Sequence, residues 1–199
     1  MKFAPVTIVV ASVWLAAAVA GAWWLHQYES APGSATSTPG QWPVAAITPA
    51  HDRPTLVMFA HPRCPCTRAS IEELNRLLAR CEGKVATSVL FFEPSTYPSE
   101  WTHSSLWKSA AAIPGVAAQA DPGGTEARRF GAETSGFVVL YDAKGRLVFR
   151  GGITGSRGHA GDNAGADAIV SLVNGERAAS RQTPVFGCSL LNQCTASIR

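Results

Sequence analysis

Residues 55–81 read TLVMFAHPRCPCTRASIEELNRLLARC. The first six, Thr55–Ala60, form a short apolar run of the kind a buried strand shows. Between Cys66 and Cys81 the period changes. Ile71, Leu74, Leu77, Leu78 and Cys81 recur at helical spacing, and Glu72, Glu73 and Arg76 are expected on the outward side. HPRCPC, residues 61–66, therefore places two cysteines and an intervening proline where a strand gives way to a helix. Unpaired amides and the helix dipole favour negative charge there, so a thiolate at Cys64 or Cys66 is stabilised. A lowered pKa is what makes a cysteine reactive. Arg63 is expected to lower it further, and Pro65 is tolerated in the first helical turn, where its missing N–H costs nothing.

Working outward, 85–92 (VATSVLFF) reads as a second strand, 104–113 as a helix, and 115–119 as a third short strand. Residues 125–130 form a weak helix. FVVLY at 137–141 and the strand at 146–149 flank DAKG, whose Gly145 supplies a positive φ for a hairpin. After a glycine-rich loop, 164–173 makes a last helix closed by Asn174-Gly175. Strand–helix–strand units at this spacing imply parallel pairing, and the hairpin adds antiparallel strands. The fold class is α/β, with a mixed central sheet and helices on both faces.

Residues 3–25 carry no charged side chain, and at about 1.5 Å per residue they are long enough to cross a bilayer as a helix. The small-x-small run Ala18-Val19-Ala20 would suit signal cleavage, but Trp23, Trp24 and Leu25 continue the apolar run, and with Tyr28 they suit an interfacial anchor. A retained anchor is the expectation. Lys2 precedes the span and the next Lys or Arg is Arg53, so the positive-inside rule leaves the rest of the chain outside. In a bacterium this is the inner membrane, crossed once, with the domain in the periplasm, where disulfides form. The expected organisation is 1–25 anchor or signal segment, 26–42 flexible linker, 43–176 folded domain and 177–199 cysteine-containing tail. A short strand is expected at 44–47. The net charge of +3 comes without any basic run or stripe, which argues against nucleic acid as a partner.

LVMFAHPRCPCTRASIEEL, GFVVLYDAKGRLVFRGGIT, GSRGHAGDN and the tail TPVFGCSL together resemble the thioredoxin-like superfamily. The resemblance covers roughly residues 43–190 and is nearest to membrane-tethered, periplasmic, RedB-type members. It implies a thioredoxin-like fold and a thiol–disulfide oxidoreductase needing no cofactor. A protein thiol or disulfide would be the substrate, with a second redox partner. Cys64 would be the attacking thiol and Cys66 the resolving one, with Arg63, Pro65, Thr134, Ser135 and Gly136 lining the substrate site. Two departures stand out. One residue, not two, separates the cysteines, and the resulting tight ring is expected to be easier to reduce. TSGF has Gly136 where such proteins usually carry a cis-proline.

Other readings stay open. His61, Cys64, Cys66 and the distant His159 offer soft ligands that suit Cu(I) or Zn, which would make the chain a metal-binding accessory protein. A redox-inactive, partner-binding module is a third possibility. The loop GGITGSRGHAGDNAG lacks the lysine and spacing of a phosphate loop and reads as a connection that rims the cleft. Cys81 reads as a buried structural thiol. For Cys188 and Cys194 a structural role comes first. The alternatives are a bond between them, or Cys188 folding back as a third redox thiol.

Overall fold

The computed structural model describes residues 4–191, so Cys194 lies outside the described residues. The chain divides into two units, Met1–Ala31 and Pro32–Arg199. The first is the helix α1 (Ala4–Ser30), of which 6–30, with an 18-residue stretch of mean hydropathy 2.0, is long and apolar enough to cross a membrane.

The second unit runs β1 (Thr55–Ala60), α2 (Pro65–Cys81), β2 (Ala86–Glu93), α3 (Ser105–Ala111), β3 (Val116–Pro122), α4 (Thr125–Phe130), β4 (Phe137–Tyr141), β5 (Leu147–Gly151) and α5 (Ala164–Val173). The sheet order is β3-β2-β1-β4-β5. β1, β2 and β3 are parallel, while β4 is antiparallel to β1 and β5 to β4. β1 is therefore central and buried along its whole length. Its side chains alternate between the two faces of the sheet. Leu56, Met58 and Ala60 join a core closed by α2, α3 and α5 through Leu74, Leu77, Leu106 and Ile169. Val57 and Phe59 join the opposite core, closed by Ala127 and Phe130 of α4. The mixed sheet with helices on both faces is the expected one.

Several elements depart from expectation. β3 extends to Pro122 and β5 to Gly151. No strand forms at 44–47; Ile47 instead fills the second core. The second half of the segment read as a flexible linker lies along the domain. Gly33 N donates to Val185 O, Trp42 N to Gly145 O and Leu147 N to Gly40 O. Trp42 packs edge-on against Phe130 and Tyr141, at 5.2 and 5.1 Å. A large aromatic in a Ser/Pro/Gly-rich stretch thus anchors it by apolar burial. The tail is pinned too, with Val185 and Leu190 in the second core. Glu73, expected outward, is 4% exposed. Its carboxylate pairs with Arg76 and accepts from Gly161 N and Asn163 Nδ2, tying α2 to the glycine-rich loop.

Phe130 is fully buried among Trp42, Phe59 and Tyr141. Phe130→Ala should cost about 3–5 kcal/mol, read as a lower urea midpoint for the detergent-solubilised chain. A midpoint unchanged from wild type would refute this account of the second core.

Candidate active site

The turn after β1 is built by local hydrogen bonds. Cys64 N donates to His61 O, and Arg63 N donates to His61 Nδ1. Cys64 is the N-cap of α2 in extended conformation, and Pro65 occupies the first helical position. Thr67 N donates back to Cys64 O at 3.1 Å. Cys64 is 2% exposed, whereas Cys66, in the first helical turn, is half-buried.

The loop before β4 locks against this turn. Ser135 Oγ accepts from His61 N at 2.8 Å and lies 2.7 Å from Thr67 Oγ1. Gly136 N donates to Phe59 O at 2.8 Å. Gly136 has φ +89°, and no peptide bond among the described residues is cis. Proline is therefore excluded here twice over, by its fixed negative φ and by its missing donor. The outer edge of the same loop takes the chain's own tail. Ser135 N donates to Cys188 O at 2.9 Å, Leu190 N donates to Glu133 O at 2.7 Å, and Thr134 bridges Ser189 in antiparallel fashion. Thr134, Ser135 and Gly136 thus line the site, but their neighbour is residues 188–190.

This pairing sets Cys188 Sγ at 2.7 Å from Cys64 Sγ, hydrogen-bonded to it. The sulfurs of Cys64, Cys66 and Cys188 all lie within 4.8 Å of one another. The hydrogen bond from Cys188 brings the Cys64 thiol down to about 5; burial opposes this, and the Cys188 amide and the Thr67 hydroxyl and amide add to it. The Cys188 thiol is pushed up, first by that same bond and then by burial. Burial and the Cys64 charge raise Cys66. The Arg157 guanidinium pulls both of these thiols the other way. Arg157 Nη1 also donates to Gly187 O. Of the three thiols, Cys64 is therefore the one that ionises most readily.

Arg63 is not the cation that lowers Cys64. Its guanidinium lies over the Trp101 ring, 5.6 Å from the centroid, while Thr67 and Cys188 supply the donors that lower Cys64. Nor does the described structure bring His61 or His159, the histidines of the alternative metal reading, into the thiol cluster. His61 is 1% exposed, packed against Phe92 and Trp101, and burial lowers its pKa. Its Nδ1 accepts from the Arg63 amide, and its buried Nε2 has no hydrogen-bond partner among the described residues. His159 is exposed, with Nδ1 2.8 Å from Arg157 O. Cys81 is buried on α2, and burial raises its thiol pKa. Beside the cluster, Pro62, Arg63, Cys64, Pro65, Arg68, Ser104, Ser105 and Leu106 line an open groove of about 310 Å³.

No family model matches the chain, and no curated protein matches it. Solved structures do. A hypothetical protein from Sinorhizobium meliloti superposes with TM-score 0.63 at 20% identity, covering 80% of this chain and 98% of its own. An uncharacterised conserved protein from Geobacillus kaustophilus gives TM-score 0.58 at 20% identity, covering 84% and 95%. A secreted Mycobacterium tuberculosis disulfide oxidoreductase gives 0.44 at 17%, covering 62% and 82%. The sheet order, the antiparallel β4–β5 hairpin, the helices on both faces and the cysteine turn after the central strand decide the architecture. The fold is thioredoxin-like. At these identities the likeness is one of fold.

Two outcomes check this geometry. Thiolate absorbance of the reduced chain should show one transition centred near pH 5, with the anion present above it and lost as pH falls through it. Cys64→Ser should remove that transition, and Cys188→Ala should move its midpoint upward by removing the donor. A titration with all thiols in the ordinary range would contradict the assignment. Gly136→Pro should destabilise the chain by more than about 1 kcal/mol, measured by urea unfolding.

Proposed function

We propose that this chain is a thiol–disulfide oxidoreductase of the cell envelope. The observation that carries the proposal is the cluster of three thiols within 4.8 Å of one another, with Cys64 at the helix start and its pKa lowered there. In the cycle, the Cys64 thiolate attacks one sulfur of a substrate protein's disulfide. A Cys64–substrate bond forms, and the second substrate sulfur leaves as a thiolate. Cys66 then gives up its proton and attacks Cys64 Sγ, forming Cys64–Cys66 and releasing the second substrate thiol. The substrate gains two electrons and the protein loses two; a second redox partner returns them. The groove bordered by Arg63, Pro65 and Arg68 gives a substrate segment a surface beside Cys64. The apolar α1 serves as a single-pass anchor in the bacterial inner membrane with the domain in the periplasm, as Lys2 and the uncharged span imply. The RedB-type affinity rests on the motif resemblance alone.

Cys64→Ser should reduce exchange with a glutathione-linked peptide disulfide to the uncatalysed background, measured with the full chain in detergent. Exchange at the wild-type rate in this variant would end the proposal.

A soft-metal site is the second reading, favoured by three sulfurs close enough to share one ion. Thiolates select Cu(I) or Zn. Stoichiometric copper or zinc in anaerobically purified, reduced chain, lost in Cys188→Ala, would assign it. Metal-free protein with intact exchange would exclude it.

A further inference from the structure

Cys188 is placed by its neighbours on both sides. Val185 and Leu190 are 4% and 1% exposed in the second core, so the chain is anchored before and after the thiol. Between them the tail pairs with Glu133–Ser135, and Arg157 holds Gly187 O. The approach is so close that a Cβ on Gly187 would stand 2.0 Å from Ser135 O. Only glycine fits there, and it lets the next residue's sulfur reach Cys64. The Cys66 sulfur lies in the same cluster but has no comparable clamp of its own beyond the helix that carries it.

We propose that the oxidised protein at rest carries a Cys64–Cys188 disulfide, with Cys66 as the relay that delivers it. This rests on the exchange reading above. The cycle there ends with a Cys64–Cys66 bond formed at the expense of a substrate disulfide. Cys188 then gives up its proton and attacks Cys64 Sγ. The Cys64–Cys188 bond forms, the Cys64–Cys66 bond breaks, and Cys66 leaves as a thiolate that takes up a proton. One disulfide replaces another, so no electrons enter or leave. The principal cause of the raised Cys188 pKa, its hydrogen bond to a Cys64 thiolate, is gone once Cys64 is bonded. Arg157 stabilises the attacking and the leaving thiolate alike. A bond between residues so far apart in sequence also constrains the unfolded chain far more than one across a single proline.

The test uses the full chain in detergent, reduced, then equilibrated with oxidised glutathione, trapped with N-ethylmaleimide and mapped by peptide mass spectrometry. The expected main product links Cys64 to Cys188 and leaves Cys66 alkylated. Cys66→Ser, which has lost the relay, should reach that link more slowly, by direct attack of Cys188 on a Cys64–glutathione bond with glutathione as the leaving thiolate, and Cys188→Ser should accumulate Cys64–Cys66. Gly187→Ala keeps every thiol but pushes the tail off Ser135, and it should shift the product towards Cys64–Cys66. Wild-type protein with Cys64–Cys66 as the main product, or with Cys188 joined to Cys194, overturns the inference and leaves exchange at Cys64 standing. Cys64 alkylated throughout overturns both.

Discussion

Ser135 makes three hydrogen bonds on which the site depends. Its Oγ takes the His61 amide at the end of β1 and meets the Thr67 hydroxyl in the first turn of α2. Its own amide donates to Cys188 O in the tail. The residue is 1% exposed, so a bond left unmade here would cost about 1–3 kcal/mol with no water to replace it. Strand end, helix start and tail are therefore satisfied together. Ser135 precedes β4, whose pairing with β1 sets Phe137 opposite Phe59. A register slip of one residue would turn every β4 side chain to the wrong core and carry Ser135 away from the cysteine turn. The sheet register thus fixes the sulfur positions.

Most of the fold was legible because its elements carry strong local signals. Thr55–Ala60, Thr125–Phe130, Phe137–Tyr141 and Ala164–Val173 have the boundaries that the apolar patterns predict. Ser104 and Asn163 accept from backbone amides as N-caps, and Gly145 has φ +72° in the hairpin turn. What the pattern did not reveal are contacts between segments distant in sequence. Residues 33–42 look like linker by composition, yet their backbone bonds to Val185, Gly131 and Gly145. Trp42 was the available signal, a large aromatic with no reason to be in a free tether. Glu73 falls on the polar side of the helical pattern but is buried by a loop nearly ninety residues further on.

The candidate site was legible by residue type and less so by role. Cys64 at the helix start follows from the motif, because the change of period marks the junction. The source of its low pKa does not. Arg63 is the neighbouring cation in sequence, but the turn aims it at Trp101. Hydrogen-bond donors from α2 and the tail do the work instead. Cys188 is the tail cysteine that could fold back as a third redox thiol, but nothing in the local pattern ranks that above a structural role. Gly187 was the overlooked signal, since a glycine before a cysteine permits the backbone approach that seats it on Ser135.

The three sulfurs compete for one negative charge. Like charges within 4.8 Å in a partly buried cluster disfavour one another, so only one thiol ionises readily at a time. Cys64 ionises first because hydrogen bonds from Cys188 and Thr67 lower its pKa, while burial and the Cys64 charge raise Cys66, and the bond to Cys64 and burial raise Cys188. Bonding at Cys64 removes that charge. The remaining thiols then lose their main electrostatic obstacle, while Arg157 continues to favour their ionised forms. The cluster therefore orders its own steps: attack from Cys64 comes first, and a second thiolate becomes available only after Cys64 has reacted. A pair of identical, equally exposed cysteines would have no such sequence built into it.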